Sequence, residues 1–184
     1  MKHVFDPEKS EILESEERKK IEPVSVVMRK IENLERKEVA VEVGAGIGYY
    51  TVPLSKIFKR VYAIDLSIKM TEKLSKKLTD LRIKNVGIIV TDKPPDLDFP
   101  VDLILFANVL HEMDKPTEYL EWAKRSDHIL IVDWKKVKMS FGPPFEERLS
   151  EREILEMIGT GFEVKELDSD SLPYHYIVFA RSLK

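Results

Sequence analysis

Cysteine is absent from the 184 residues, which excludes disulfides, thiolate metal ligands and thiol nucleophiles together. No apolar run reaches the roughly 18 residues that a membrane-crossing helix needs. The first ten residues lack the apolar core of a signal peptide, so the expectation is a cytoplasmic protein with no membrane partner. A basic excess is also missing. Thirty Lys and Arg face 33 Asp and Glu, for a net charge of -3, which argues against a nucleic-acid partner. Internal repeats and low-complexity segments are lacking too. What remains is a chain with 43% apolar residues, long enough for one domain with a sizeable core.

After residue 38, short β-branched runs alternate with longer amphipathic stretches. Strands are expected at Val39–Val43, Arg60–Asp65, Val86–Val90, 102–106, 128–132, 162–167 and 174–181. Helices are expected at 48–58, from an N-cap at Ser67 to about Leu81, at 116–125 and at Glu151–Ile158. The second of these would bury Ile68, Leu74, Leu78 and Leu81. The last opens on Ser150-Glu151-Arg152-Glu153, a capping-box pattern. Strands alternating with helices predict an α/β fold, a doubly wound, mostly parallel seven-stranded sheet. Only residues 168–173 separate the last two strands, too few for a parallel crossover, so the seventh is expected to run antiparallel.

Residues 1–38 read differently. A charge run over 11–20 suggests a solvated helix, and Ile21, Val24, Val27, Met28, Ile31 and Leu34 suggest an amphipathic one packed on the sheet. The expected organisation is an amino-terminal helical extension, with a lid as the alternative role, followed by a cofactor-binding domain over residues 39–184.

The chemistry gathers at Glu42-Val43-Gly44-Ala45-Gly46-Ile47-Gly48, between a strand and a helix. Glycines there let the chain turn sharply and let a ligand approach the backbone. Dinucleotides and S-adenosylmethionine both use such a turn. The dinucleotide fingerprint places its third glycine at the sixth position, which here is Tyr49; the third glycine stands at the fifth. Glu42 suits an ammonium group better than a pyrophosphate. Asp65, ending the second strand, can accept ribose hydroxyls with either cofactor.

The stretches Val41 to Thr51, Val61 to Ser67 and Leu105 to Glu112 resemble class I, Rossmann-like S-adenosylmethionine-dependent methyltransferases. Within them the chain is similar to the ubiquinone/menaquinone biosynthesis group. The resemblance implies that Glu42 with Gly44, Ala45, Gly46 and Gly48 holds the methionine end, that Asp65 holds the ribose and that Leu66 packs on adenine. It further implies that Asp92 meets the adenine amino group, with Lys93 or Thr91 sharing that place, and that Ala107 and Asn108 line the sulfonium. The link from third to fourth strand is shorter and richer in proline than is common in the family.

Ligands of open α/β sheets lie beyond the carboxyl ends of the strands. That places His111, Trp134, Tyr174 and His175 as candidates for an acceptor pocket, with His111 as the general base. Tyr174 and His175 point to opposite faces of one strand, so at most one enters readily. No Asn-Pro-Pro-aromatic motif follows the fourth strand, and a small-molecule acceptor is expected. The alternative is a protein that binds S-adenosylmethionine or S-adenosylhomocysteine in a regulatory role without turnover; an NAD-dependent oxidoreductase ranks third. No metal site is expected.

Overall fold

The computed structural model describes residues 6–184. Aliphatic and β-branched runs become β1 (Val39–Val43), β2 (Arg60–Asp65), β3 (Val86–Val90), β4 (Val101–Ala107), β5 (Ser126–Trp134), β6 (Phe162–Asp168) and β7 (His175–Ser182). They form one sheet in the order β3-β2-β1-β4-β5-β7-β6. β7 alone runs against its neighbours, pairing antiparallel with both β5 and β6. All seven residues of β4 are buried, as a central parallel strand covered on both faces requires. At the edge, only Phe162 of β6 is buried, and its charged residues keep that edge in water.

Six α-helices cover the sheet among the described residues: α1 (Glu16–Ile21), α2 (Val24–Arg29), α3 (Thr51–Ile57), α4 (Ile68–Asp80), α5 (Pro116–Ala123) and α6 (Glu151–Ile158). None is long and apolar enough to cross a membrane. Strand alternation divides the core. Val41, Ile104, Phe106 and Ile131 face α5 and α6, whereas Ala40, Leu103, Leu105 and Val132 face Val27, Tyr50 and Leu54. The capping box of α6 is formed, with Ser150 and Glu153 each accepting from the other's backbone N–H.

Two expectations on α4 need correction. Its buried stripe is Met70, Thr71, Leu74 and Leu78. Ile68 is exposed because it lies two residues, about 200° of helical rotation, from Met70. Leu81 is exposed as the C-cap, beyond the last helical turn. The 48–58 helix starts only at Thr51, which leaves Pro53 in the first turn where its missing N–H is tolerated.

The amino-terminal charge run is split. A 3-10 helix, Pro7–Glu14, ends at Ser15, whose hydroxyl then caps α1 by accepting from the Arg18 N–H. Three lysines spaced four apart on α4 hold this segment. Lys69 binds Glu8, Lys73 binds Ser10 Oγ and the Pro7 carbonyl, and Lys77 binds Glu14 and the Ile47 carbonyl. Farther along, Val27 and Ile31 are fully buried in the core beside Tyr50 and Leu54.

Candidate functional site

β1 is flanked by β2 on one side and β4 on the other, all parallel. The chain order reverses there, and a crevice opens beyond the carboxyl ends of these strands. A cavity of about 1410 Å³ fills it, walled by the glycine loop, the ends of β2 to β5, residues 139–145 and the amino-terminal segment.

The glycine loop owes its shape to positive φ at Gly44 (75°) and Gly46 (53°). Its amides are already engaged. Gly44 and Ala45 donate to the Ile64 carbonyl at 2.8 and 3.0 Å, and Gly46 donates to Asp65 Oδ2 at 2.8 Å. A Cβ on Gly44 would collide with Val109, whereas one on Gly46 would meet only Leu13, at 3.5 Å. Gly44, Ala45 and Gly46 line the cavity; Gly48 does not. Its φ of 92° turns the chain toward α3, and an added Cβ would lie 2.6 Å from Leu74. The expected ligand role of Gly48 is thus replaced by one in packing.

Glu42 is buried at the cavity floor, accepting from Thr51 Oγ1 at 2.5 Å. Burial pushes its carboxyl up to about 8, against the Thr51 hydrogen bond. Asp65 accepts from the Gly46 and Ser67 amides, one on each oxygen. Asp65 lines the cavity beside Leu66. Burial raises its carboxyl and these amides oppose the rise. Leu66 lines the cavity with its side chain exposed, as do Asp92 and Lys93 at the end of β3. Tyr119, pushed up to about 12 by burial, feels the charges of Asp92 and Asp65.

Ala107 and Asn108 end β4 at the cavity. Asn108 adopts a φ of 54°, a left-handed turn that asparagine tolerates better than most residues. Its Nδ2 donates to Glu22 Oε1 at 2.8 Å. Glu22 belongs to the amino-terminal segment and is buried; it also accepts from Tyr50 Oη at 2.6 Å and pairs with Arg18 Nε at 3.1 Å. Arg18 lies over the Tyr49 ring, 4.2 Å from its centroid, and lines the cavity.

At the far end, His111 is 3% exposed, with Nδ1 2.6 Å from Asp133 Oδ1. Asp133 Oδ1 also accepts from the Trp134 N–H. Burial alone would lower the imidazole, but Asp133, with Glu112 and Glu147 behind it, outweighs burial and His111 is raised above its usual value. With Nδ1–H given to Asp133, Nε2 is left as the accepting nitrogen of the neutral ring. Trp134, Phe141 and Tyr174 complete an aromatic wall, with Phe141 edge-on to both rings. Arg148 shapes this wall by donating to the carbonyls of Val137, Phe141 and Pro143.

His175 does not join the wall. It is fully buried behind Trp134, ring centroids 4.1 Å apart, with Nε2 3.6 Å from Glu22. Strand alternation sends Tyr174 to the cavity and His175 into the interior, where burial lowers its affinity for protons. Sequence reasoning also passed over Arg18, Glu22, Tyr49, Asp133 and Arg148. Tyr49 lay within the glycine-loop stretch and Asp133 just past the expected fifth strand, at 128–132, without a site role for either; Arg18, Glu22 and Arg148 carried no motif.

A methyltransferase domain family model matches residues 41–126. The crystal structure of an S-adenosylmethionine-dependent methyltransferase from Aquifex aeolicus is 30% identical, covers 98% of this chain and 100% of that one, and superposes with a TM-score of 0.86. A Sulfolobus solfataricus protein assigned to the type 11 methyltransferases is 25% identical over 90% of this chain and 92% of its own, with a TM-score of 0.69. An archaeal protein from Methanosphaera stadtmanae, named as a probable ribosomal RNA small subunit methyltransferase A, is 25% identical over 64% of this chain. The chain spans about 40% of the length of that curated relative.

Proposed function

This chain belongs to the S-adenosylmethionine-dependent methyltransferases, and we propose that it methylates a small, partly aromatic acceptor carrying a dissociable proton at the attacking atom. The observation that carries this reading is one continuous cavity. It joins Glu42, Asp65 and Leu66 at one end to His111, Trp134 and Tyr174 at the other.

The donor end fits its cofactor. Asp65 offers two carboxylate lone pairs to ribose hydroxyls, Leu66 an exposed apolar face to adenine, and Glu42 an enclosed carboxyl to an ammonium. Asp92 and Lys93, which line the same cavity, would meet the exocyclic amine, and Gly44 to Gly46 would allow close approach of the methionine chain. Ala107 and Asn108 would flank the sulfur. The cofactor supplies an electrophilic methyl group on a sulfonium.

At the acceptor end, His111 Nε2 takes the proton from the attacking atom while Asp133 fixes the ring's orientation and supports its charge. The aromatic wall aligns the acceptor, and alignment supplies most of the rate in methyl transfer. The stretch Leu105 to Glu112 supports the narrower kinship with the ubiquinone/menaquinone biosynthesis group.

The name of the archaeal relative raises ribosomal RNA as a second acceptor. Charge at the cavity speaks for the small molecule. Eight acidic residues, Glu17, Glu112, Asp114 and Glu118 among them, line the cavity against four basic ones, which disfavours a polyanion. Transfer of radiolabelled methyl groups to a panel of phenolic and heteroaromatic compounds, run beside total ribosomal RNA, tests the proposal. Labelling of a small compound, lost with His111→Gln, is expected. Labelling of RNA alone would overturn the acceptor class.

A further inference from the structure

The methionine end of the cofactor carries a carboxylate as well as an ammonium, and the glycine loop offers the carboxylate little. The Gly44, Ala45 and Gly46 amides all point back to Ile64 and Asp65. Of the neighbouring side chains, Asp65 and Glu22 are acidic and would repel it, and Glu42 offers it no positive charge. A carboxylate brought into this part of the cavity therefore needs a cation.

Four basic residues line the cavity among the described residues. Arg148 spends its donors on three loop carbonyls beside the aromatic wall. Lys115 is exposed and paired with Glu118, and Lys93 lies at the end of β3 on the adenine side. Arg18 remains. Its side chain is 15% exposed, Nε is held by Glu22 and Nη1 by the Leu13 carbonyl, and the guanidinium rests on Tyr49 of the loop itself. Nη2 has no hydrogen-bond partner among the described residues. Its positive charge also reaches Glu42, where it opposes the rise caused by burial.

We propose that Arg18, delivered by the amino-terminal segment, recognises the cofactor's carboxylate and so selects amino-acid-bearing adenosines over other adenine compounds. The assignment rests on the methyltransferase reading. It also gives the buried Glu22 a purpose: its carboxylate fixes the guanidinium's position while leaving one donor edge open. Lysine at this position would keep the charge and lose the forked geometry.

Calorimetry separates this role from a merely structural one. The ligands are S-adenosylhomocysteine and its decarboxylated analogue, which retains the ammonium. Wild-type protein should prefer the carboxylate-bearing ligand by roughly ten- to a hundred-fold, the range of one charged hydrogen-bonded pair. Arg18→Gln should lose that preference, weakening S-adenosylhomocysteine while leaving the analogue within about two-fold. Arg18→Lys should recover part of it. Lys73→Gln loosens the same segment on the α4 side, away from the cavity, and should shift both ligands together. Equal weakening of both ligands by Arg18→Gln, or no change in either, overturns the assignment alone. Failure of both ligands to bind wild-type protein overturns the cofactor reading and this one with it.

Discussion

The side-chain amide of Asn108 donates to Glu22 across 2.8 Å, joining residues 86 positions apart. Tyr50 and Arg18 reach the same carboxylate, so one buried acid binds the amino-terminal segment to the ends of the central strands. Removing it strands three donors in the interior. Glu22→Ala should destabilise the protein by about 3 kcal/mol, read from urea unfolding. A midpoint shift equivalent to less than about 0.5 kcal/mol, the range of an ordinary surface substitution, would show that the network is dispensable.

His111 and Asp133 should set the pH dependence of catalysis. Asp133 raises the imidazole above its usual 6.5, so the accepting neutral form is fully available only above the raised value. kcat/KM should therefore climb through and above pH 6.5 and then level off. Asp133→Asn removes the largest of the carboxylate contributions that raise the imidazole and should move the rising limb to lower pH. A limb that stays in place would uncouple the pair.

His111→Gln should lower kcat by about 10²- to 10⁴-fold, the usual reach of general-base catalysis. S-adenosylhomocysteine affinity should remain within about two-fold, because His111 lies at the acceptor end. A matching loss of affinity would place His111 in the donor site instead.

Glu42, held near 8 by burial, is largely protonated at pH 7. A bound ammonium lowers it, so cofactor binding at pH 7 should release a fraction of a proton, and affinity should rise toward pH 8. Calorimetry in buffers of different ionisation enthalpy measures the release. Glu42→Gln should abolish it; an unchanged release would assign the proton to another group.

Two glycines with positive φ should differ sharply on substitution. At Gly159 an added Cβ meets nothing within 4 Å, so Ala brings only the backbone strain of its φ 50°, ψ -143° conformation, about 1–3 kcal/mol. At Gly44 the same Cβ collides with Val109, and Gly44→Ala should exceed that loss and distort the cofactor loop. Equal thermal shifts would contradict the packing around Gly44.

Much of this molecule was legible in the chain because its signals are local. β1, β2 and β3 begin and end where aliphatic runs do, and Ser150 with Glu153 marks the start of α6 through contacts only three residues apart. The short 168–173 link required the reversal of β7. That Glu42, Gly44, Gly46 and Asp65 come together at one cavity was legible because the turn between adjacent parallel strands fixes where their carboxyl ends lie.

Tertiary structure decided what local signals do not carry. Strand alternation allowed only one of Tyr174 and His175 into the cavity, and the packing of His175 behind Trp134 and beside Glu22 goes with the choice of Tyr174. At Gly48, Leu74 leaves no room for a Cβ. Arg18 lies in the charge run and Glu22 just beyond it, and nothing local marks either; three α4 lysines anchor the 3-10 helix before them, and Arg18 comes to rest on Tyr49 of the glycine loop. A strand or cap is chosen by the energies of neighbouring residues. A binding site depends on burial, which raises Glu42 and pairs Arg18 with Glu22, and burial exists only once the whole chain has packed.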